Sequence, residues 1–136
     1  LLVNSNYPLF LTQMLPQFKK KKMVLICSKD AKFDKLPFEV TKDFRVGKNC
    51  IVNDHHLEEE IKNWISNNDV KDHIFLFSAS SLSDILIHKL FDFNDNNTYI
   101  DIGTTLHWHF ELGIERDYLR AYWNYSGHPD LYKDCN

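Results

Sequence analysis

The sequence predicts an α/β fold, a Rossmann-like three-layer sandwich built on a mostly parallel sheet of about four strands. Two short, continuously apolar runs, Met23–Cys27 and Ile74–Phe77, are typical of strands that are buried on both faces. Amphipathic helical patterns lie between them and before a further strand at Thr98–Ile102. Strands that alternate with helices pair in parallel through right-handed crossovers, so we expect an active or binding site at the carboxyl ends of the strands.

Length and composition indicate one α/β domain over residues 1–136. The chain has 136 residues, the size of a single hydrophobic core, and its 43% apolar content is unlike that of a disordered chain. The net charge of −3 gives no indication of nucleic-acid binding. No apolar run reaches the roughly 20 residues that cross a bilayer, so no transmembrane segment is expected.

Cysteine usage and the first residue bear on the compartment and on the parent protein. The three cysteines are odd in number and widely spaced, which disfavours a disulfide framework and indicates a reducing, cytoplasmic location. Abundant Asn, Lys and Ile are typical of a viral or low-GC bacterial source, and the location would be the host cytoplasm if the chain is viral. Leu1 is not an initiator residue, and we expect this chain to be the C-terminal part of a longer protein.

The first half of the chain begins with a helix and continues into two strands. Asn6 is the expected helix cap, with Pro8 in the first turn and the basic run Lys19–Lys22 at the end of the helix. After the strand at Met23–Cys27, a shorter strand is expected within Phe38–Val46. The side chains of the first helix expected to face inward are Leu9, Phe10, Met14 and Leu15.

Two amphipathic helices flank the strand at Ile74–Phe77. Asp54 is the expected cap of the first helix, and the last strand is expected to end at Gly103. The inward-facing residues expected are Leu57, Ile61, Trp64 and Ile65 in the first helix, and Leu82, Ile85, Leu86, Leu90 and Phe93 in the second. Beyond Gly103 we expect a loop and a short helix packed over one edge of the sheet, containing His107, Trp108, Phe110, Tyr118, Tyr122, Trp123 and Tyr125.

Small hydroxyl residues join the strand at Ile74–Phe77 to the helix that follows. In the segment Ser78–Ser81 they leave backbone N–H groups open at a helix N-terminus, where a phosphate is favoured. The alternative is an ordinary helix cap made by Ser81 or Ser83.

A carboxylate closes the last predicted strand. Asp101 lies within an apolar run, where an unpaired charge is costly, so it is expected to accept hydrogen bonds or to contact a ligand. The alternative is an aspartate that only fixes the turn. Gly103 is expected to permit a tight turn or the close approach of a ligand.

Further candidate ligands follow that strand. His107, His109 and Glu111 alternate, so an extended segment would place them on one face with a spacing suited to a divalent metal. The alternative is a set of loop residues stacked among aromatic rings. Arg116 and Arg120 lie four residues apart and are expected either to neutralise a diphosphate or to pair with nearby carboxylates.

These segments resemble a known family. Ile74–Ala79 followed by a helix, and then Asn96–Gly103, resemble the second half of the GT-D-type glycosyltransferase-fold family. In that family an "LxSAGP"-like turn precedes a strand that ends in "IDxG". Arg116-Asp117-Tyr118 is similar to an "R-x-Y" element of bacterial and large-virus members. The resemblance covers residues 70–120 well and the first 70 in outline.

The resemblance implies a glycosyltransferase domain that moves a sugar from a nucleotide-sugar donor to a glycan or protein acceptor, commonly with a divalent metal such as Mn or Mg. The expected donor contacts are Ser78, Ser80, Ser81, Gly103, Thr104 and Arg116. The expected catalytic residues are Asp101 and Glu111. A metal would need His107 or His109, or Glu111, as its ligands, and the alternative is that no metal is used at all.

The sequence departs from the family pattern in three places. Ser80 and Ser81 replace the turn glycine and proline, and Leu106–His109 stands where an acidic residue is expected. The "FGDGE"-like segment of the family is not present. Two alternatives therefore stay open: a non-catalytic glycan- or protein-binding domain that keeps this fold, and another Rossmann-like transferase such as a methyltransferase. The missing glycine-rich loop after the first strand disfavours the methyltransferase.

Overall fold

The computed structural model describes residues 6–124 and shows an α/β fold with a four-stranded, all-parallel sheet of strand order β2-β1-β3-β4. The strands are β1 Lys22–Ser28, β2 Val40–Val46, β3 His73–Phe77 and β4 Thr98–Asp101. Helices cover both faces of the sheet, which confirms the predicted fold class.

The register of the strands brings their carboxyl ends to one edge of the sheet. Ser28 of β1 pairs with Val46 of β2, and Ile26 pairs with Phe77 of β3. Phe77 in turn pairs with Asp101, the last residue of β4. The loops that leave these four strands are therefore neighbours, as parallel topology requires.

Three helices cover one face of the sheet: α2 Cys50–Asn53, α3 Leu57–Asn67 and α4 Ser81–Phe93. Alternate strand residues point to this side because successive strand side chains face opposite ways. The core on this face is formed by Val24, Ile26, Phe44, Val46, Leu57, Ile61, Ile65, Phe75, Phe77, Leu82, Leu86 and Leu90, with others at its margin.

The two ends of the described chain cover the other face. An N-terminal helical segment, α1, is α-helical over Tyr7–Leu9, π-helical over Phe10–Met14 and 3₁₀-helical over Leu15–Lys20. A turn-rich segment follows β4 and ends in α5, Asp117–Tyr122. The buried Tyr7 hydroxyl joins both ends, because it donates to the Thr105 carbonyl oxygen at 3.0 Å.

Some local predictions about helix ends and buried faces are wrong. Asp54 follows α2 and accepts a hydrogen bond from the Gly47 N–H at 3.1 Å, whereas His56 precedes α3. Ile85 and Phe93 of α4 were expected to face inward, but both side chains are exposed. Phe93 is the last residue of the helix, and the Lys62 ammonium lies over its ring. Leu9 is also exposed.

Lys22, expected at the end of the first helix, is the first residue of β1. Within the described residues 6–124, no helix is long and apolar enough to cross a membrane. Tyr125, one of the aromatic residues expected over the sheet edge, lies outside the described residues.

Candidate functional site

A cleft of about 1000 Å³ lies at the carboxyl edge of the sheet. All four strands contribute to it through their last residues or the residues that follow them, as the parallel topology predicts. Its lining comprises Ser28 at the end of β1, Val46 at the end of β2 with Gly47, Lys48 and Cys50 after it, Ser78 to Ser80 after β3, and Thr104, His107, Leu112, Gly113, Glu115, Arg116 and Arg120 after β4.

The turn between β3 and α4 forms one wall of the cleft. Ser80 precedes the first residue of α4 and has φ +48° and ψ −139°, a conformation that glycine adopts far more readily than serine. Neither Ser81 nor Ser83 caps α4 as expected, since the helix has no side-chain cap and Ser83 Oγ instead accepts a hydrogen bond from the Ala79 N–H. Ser81 is exposed and is not among the described residues that line the cleft.

Ser78 ties this wall to the end of β4. Its hydroxyl donates a hydrogen bond to the Gly103 carbonyl oxygen at 2.7 Å. Gly103 itself has φ +50°, so the prediction of a tight turn at this glycine is confirmed. The next residue, Thr104, lines the cleft, and its hydroxyl shares a hydrogen bond of 2.7 Å with the Tyr118 hydroxyl.

Asp101 occupies a turn at the exposed end of β4. Its Oδ1 accepts a hydrogen bond of 2.8 Å from the Gly103 N–H, which matches the turn-fixing alternative. Neither Asp101 nor Gly103 is among the described residues that line the cleft, although the Gly103 carbonyl holds Ser78 in place. A catalytic role for Asp101 stays a prediction.

Residues 104–111 form successive turns, so the expectation that His107, His109 and Glu111 share a face of an extended segment is wrong. Glu111 has φ +57° and pairs with Lys35 Nζ at 3.5 Å, and it does not belong to the described lining of the cleft. Within residues 6–124, no group of three or more His, Cys, Asp and Glu side chains is placed to hold a metal.

His107 is the histidine that lines the cleft. Burial lowers its pKa, as does the Arg116 guanidinium; a hydrogen bond to the Gly113 backbone and the Glu115 carboxylate act in the opposite direction. The net shift is downward, so the imidazole is neutral at pH 7 and able to accept a proton.

His109 lies on the other side, in the aromatic core. It is buried against the Trp108 and Trp123 rings, and its Nδ1 has no hydrogen-bond partner among the described residues. Burial lowers its pKa to about 4. The alternative interpretation, a loop residue stacked among aromatic rings, describes His109 but not His107.

Cationic side chains dominate the charge of the cleft. Lys48, Arg116 and Arg120 line it, and Glu115 is the one carboxylate in the described lining. Arg120 Nη2 donates a hydrogen bond to the Glu115 carbonyl oxygen and lies 3.8 Å from Asp117 Oδ1. Arg116 and Lys48 form no ion pair within residues 6–124, whereas Arg120 pairs with Asp117 as the alternative prediction for the arginines has it. A role of the arginines in binding a diphosphate stays a prediction.

The sequence predictions missed several lining residues, among them Lys48, Cys50 and Glu115. Lys48 lies two residues after β2. Residues that follow the strands of a parallel sheet lie at the site edge, so the position of β2 was the signal that could have identified Lys48. Cys50 Sγ donates a weak hydrogen bond to the Ala79 carbonyl oxygen at 3.2 Å, which joins the β2 and β3 sides of the cleft.

The fold and its cleft define a Rossmann-like α/β domain with a basic cleft at the carboxyl edge of a parallel sheet. The chain matches no family model, no curated protein and no solved structure.

Proposed function

We propose that this chain is a glycosyltransferase domain that binds a nucleotide sugar in the cleft and transfers the sugar to a glycan or protein acceptor. The observation that carries the proposal is the cluster of Lys48, Arg116 and Arg120 in a cleft at the carboxyl edge of the sheet. The whole chain has a net charge of −3, so this concentration of cations is a local feature that favours an anionic ligand.

The backbone at Ser80 supports the same proposal. The resembled family has a glycine in this turn, and Ser80 has the positive φ that glycine adopts without strain. A serine in this conformation costs about 1–3 kcal/mol. Such strain is typical of functional turns, and here it holds the start of α4 beside the cleft, where the helix dipole favours a phosphate.

Sugar transfer requires a good leaving group and a proton acceptor. The bond between the anomeric carbon and the donor phosphate breaks, the phosphate keeps the electron pair, and the acceptor hydroxyl forms the new bond and loses its proton. Arg116 and Arg120 would stabilise the charge on the leaving diphosphate, and the neutral His107 would accept the proton. Asp101 and Glu111 remain the bases that the sequence predicts.

A second candidate is a non-catalytic domain that binds glycans or proteins. Two observations favour it. Asp101 and Glu111 are bound to Gly103 and Lys35 rather than facing the cleft. Trp108 and Trp123 stack at 3.8 Å and are half-buried, which leaves part of an aromatic pair accessible to a sugar.

The proposed location is the cytoplasm. Cys27 and Cys50 are free thiols, which are kept in a reducing compartment. Fractionation of cells that express the protein tests this assignment, and recovery in an oxidising compartment would contradict it.

Titration with UDP, GDP and dTDP sugars, followed by ligand-observed NMR with and without manganese, tests the proposal. We expect one donor class to bind, and Lys48→Gln to weaken its binding about tenfold through loss of a charge-assisted contact. Lys89→Gln is the matched control, because Lys89 is exposed on α4 and does not line the cleft. Donor binding with no hydrolysis or transfer of the sugar would favour the non-catalytic domain, and no binding by any nucleotide would contradict the proposal.

A further inference from the structure

We propose that the cleft neutralises the donor diphosphate with Lys48, Arg116 and Arg120 rather than with a divalent metal. This inference rests on the proposed function for the identity of the donor. It concerns one subsite, the position of the two phosphate groups, and it departs from the metal-assisted chemistry that the family resemblance implies.

The donor atoms present in the cleft do not suit a divalent metal. Mg²⁺ and Mn²⁺ prefer oxygen ligands, usually with at least one carboxylate free to coordinate. Glu115 is the one carboxylate in the described lining, and it is next in sequence to Arg116, while Arg120 bonds to its backbone carbonyl. Three cationic side chains therefore share the described lining with a single carboxylate, and this excess of positive charge opposes the binding of a further cation.

The other predicted ligands do not complete such a site. Asp101 gives its Oδ1 to the Gly103 N–H, and Glu111 pairs with Lys35. His109 is buried among aromatic rings, and His107 is the one histidine in the described lining of the cleft. No three of these side chains converge on one point among residues 6–124.

The three cationic side chains, in contrast, all line the cleft, and they come from two separate parts of the chain. Lys48 follows β2, an edge strand, whereas Arg116 and Arg120 lie one helical turn apart at the start of α5. A guanidinium group presents a planar fork that binds phosphate oxygens in pairs, and an ammonium group acts as a compact charge. Arg120 is oriented by the Glu115 carbonyl and by Asp117, which reduces the ordering needed when a ligand binds.

Isothermal titration calorimetry of the whole chain tests the inference with two probes, inorganic pyrophosphate and the nucleotide sugar that binds best. Each is titrated in EDTA and again in excess Mn²⁺. We expect both probes to bind in EDTA, and Mn²⁺ to change each affinity by less than about fivefold, the lower end of ordinary coupling between sites. Arg116→Gln should weaken pyrophosphate binding about tenfold and Arg116→Lys less, because lysine keeps the charge but loses the fork.

The outcomes separate this inference from the proposed function. Nucleotide-sugar binding that is lost in EDTA and restored by Mn²⁺ would overturn the inference and leave the glycosyltransferase proposal standing. Metal-free binding of pyrophosphate alone, with no nucleotide bound, would support the cationic subsite and contradict the nucleotide-sugar donor. Failure of both probes in both buffers would overturn both. Arg116 is exposed, so its variants should fold, and Lys89→Gln again serves as the control.

Discussion

The Ser78 hydroxyl and the Gly103 carbonyl oxygen lie 2.7 Å apart and join the carboxyl ends of β3 and β4. This hydrogen bond connects the turn that begins α4 to the turn that leads into the segment carrying His107 and Arg116. The two walls of the cleft are therefore coupled by one side chain.

Ser78→Ala removes that connection, and we expect it to lower the free energy of unfolding by about 1 kcal/mol. The Gly103 carbonyl is near solvent and regains a water, so a larger loss is not expected. Urea unfolding measures the change. Ser81→Ala is the control, because Ser81 is exposed and should stay within about 0.5 kcal/mol of the wild type. Equal effects of the two substitutions would contradict a role for the hydrogen bond.

Ser80→Gly should stabilise the chain by about 1 kcal/mol. Glycine relieves the strain of the positive φ, and part of that gain is offset by its greater freedom in the unfolded chain. Ser80→Ala keeps a Cβ at the same φ and should give no gain. Thermal unfolding of both variants checks this, and a Ser80→Ala variant as stable as Ser80→Gly would show that the backbone at this position is unstrained.

The hydrogen bond from the Gly103 N–H to Asp101 Oδ1, which fixes the turn after β4, can be tested by substituting Asp101. Asp101→Ala removes the acceptor of the Gly103 N–H and should cost about 1 kcal/mol, whereas Asp101→Asn keeps an Oδ1 acceptor and should stay within about 0.5 kcal/mol. Denaturant unfolding distinguishes the two. If Asn is as destabilising as Ala, the contribution of Asp101 lies in its charge and not in the turn.

Because His109 is buried and its pKa is lowered, we expect the free energy of unfolding to fall in acid. Its pKa is about 4 in the folded chain against 6.5 for a free histidine, so between these values the unfolded chain binds a proton that the folded chain does not. The free energy of unfolding should fall as pH drops from 6.5 to about 4, by up to ~3 kcal/mol, and level off below. The lowered pKa of His107 adds a change of the same sign.

His109→Leu should reduce this pH dependence, because the titrating group and its unpaired Nδ1 are both removed. Denaturant unfolding at a series of pH values measures the slope. Lys89→Gln is the control, since it is an exposed substitution that leaves His109 in place. A His109→Leu variant with the slope of the wild type would contradict the assignment.

The sheet was predictable because strands that are buried on both faces have continuous apolar sequences. Met23–Cys27 and Ile74–Phe77 are continuously apolar, and their parallel pairing places the site edge without further information. β2 is less apolar, since it lies at an edge and part of it is exposed, so Lys48, two residues after it, was missed as a lining residue.

The segment after β4 was not predictable in the same way. The alternation of His107, His109 and Glu111 fits an extended chain, but the backbone there closes turn after turn, including a bond from the Phe110 N–H to the Leu106 carbonyl. Contacts with α1 and Trp123 decide that conformation, and they are distant in sequence. The strained backbone at Ser80 could not be predicted from the local sequence either, because a serine does not indicate a positive φ.

The most direct test of the cleft as the donor site is a map of backbone amide chemical shifts during titration with the nucleotide sugar that binds best. We expect the largest shifts on Lys48, on Ser78 to Ser80, and on Gly113, Glu115 and Arg116, which line the cleft after three different strands. Shifts confined to Trp108 and Trp123, with the cleft amides unmoved, would contradict this expectation and place binding on the aromatic pair instead.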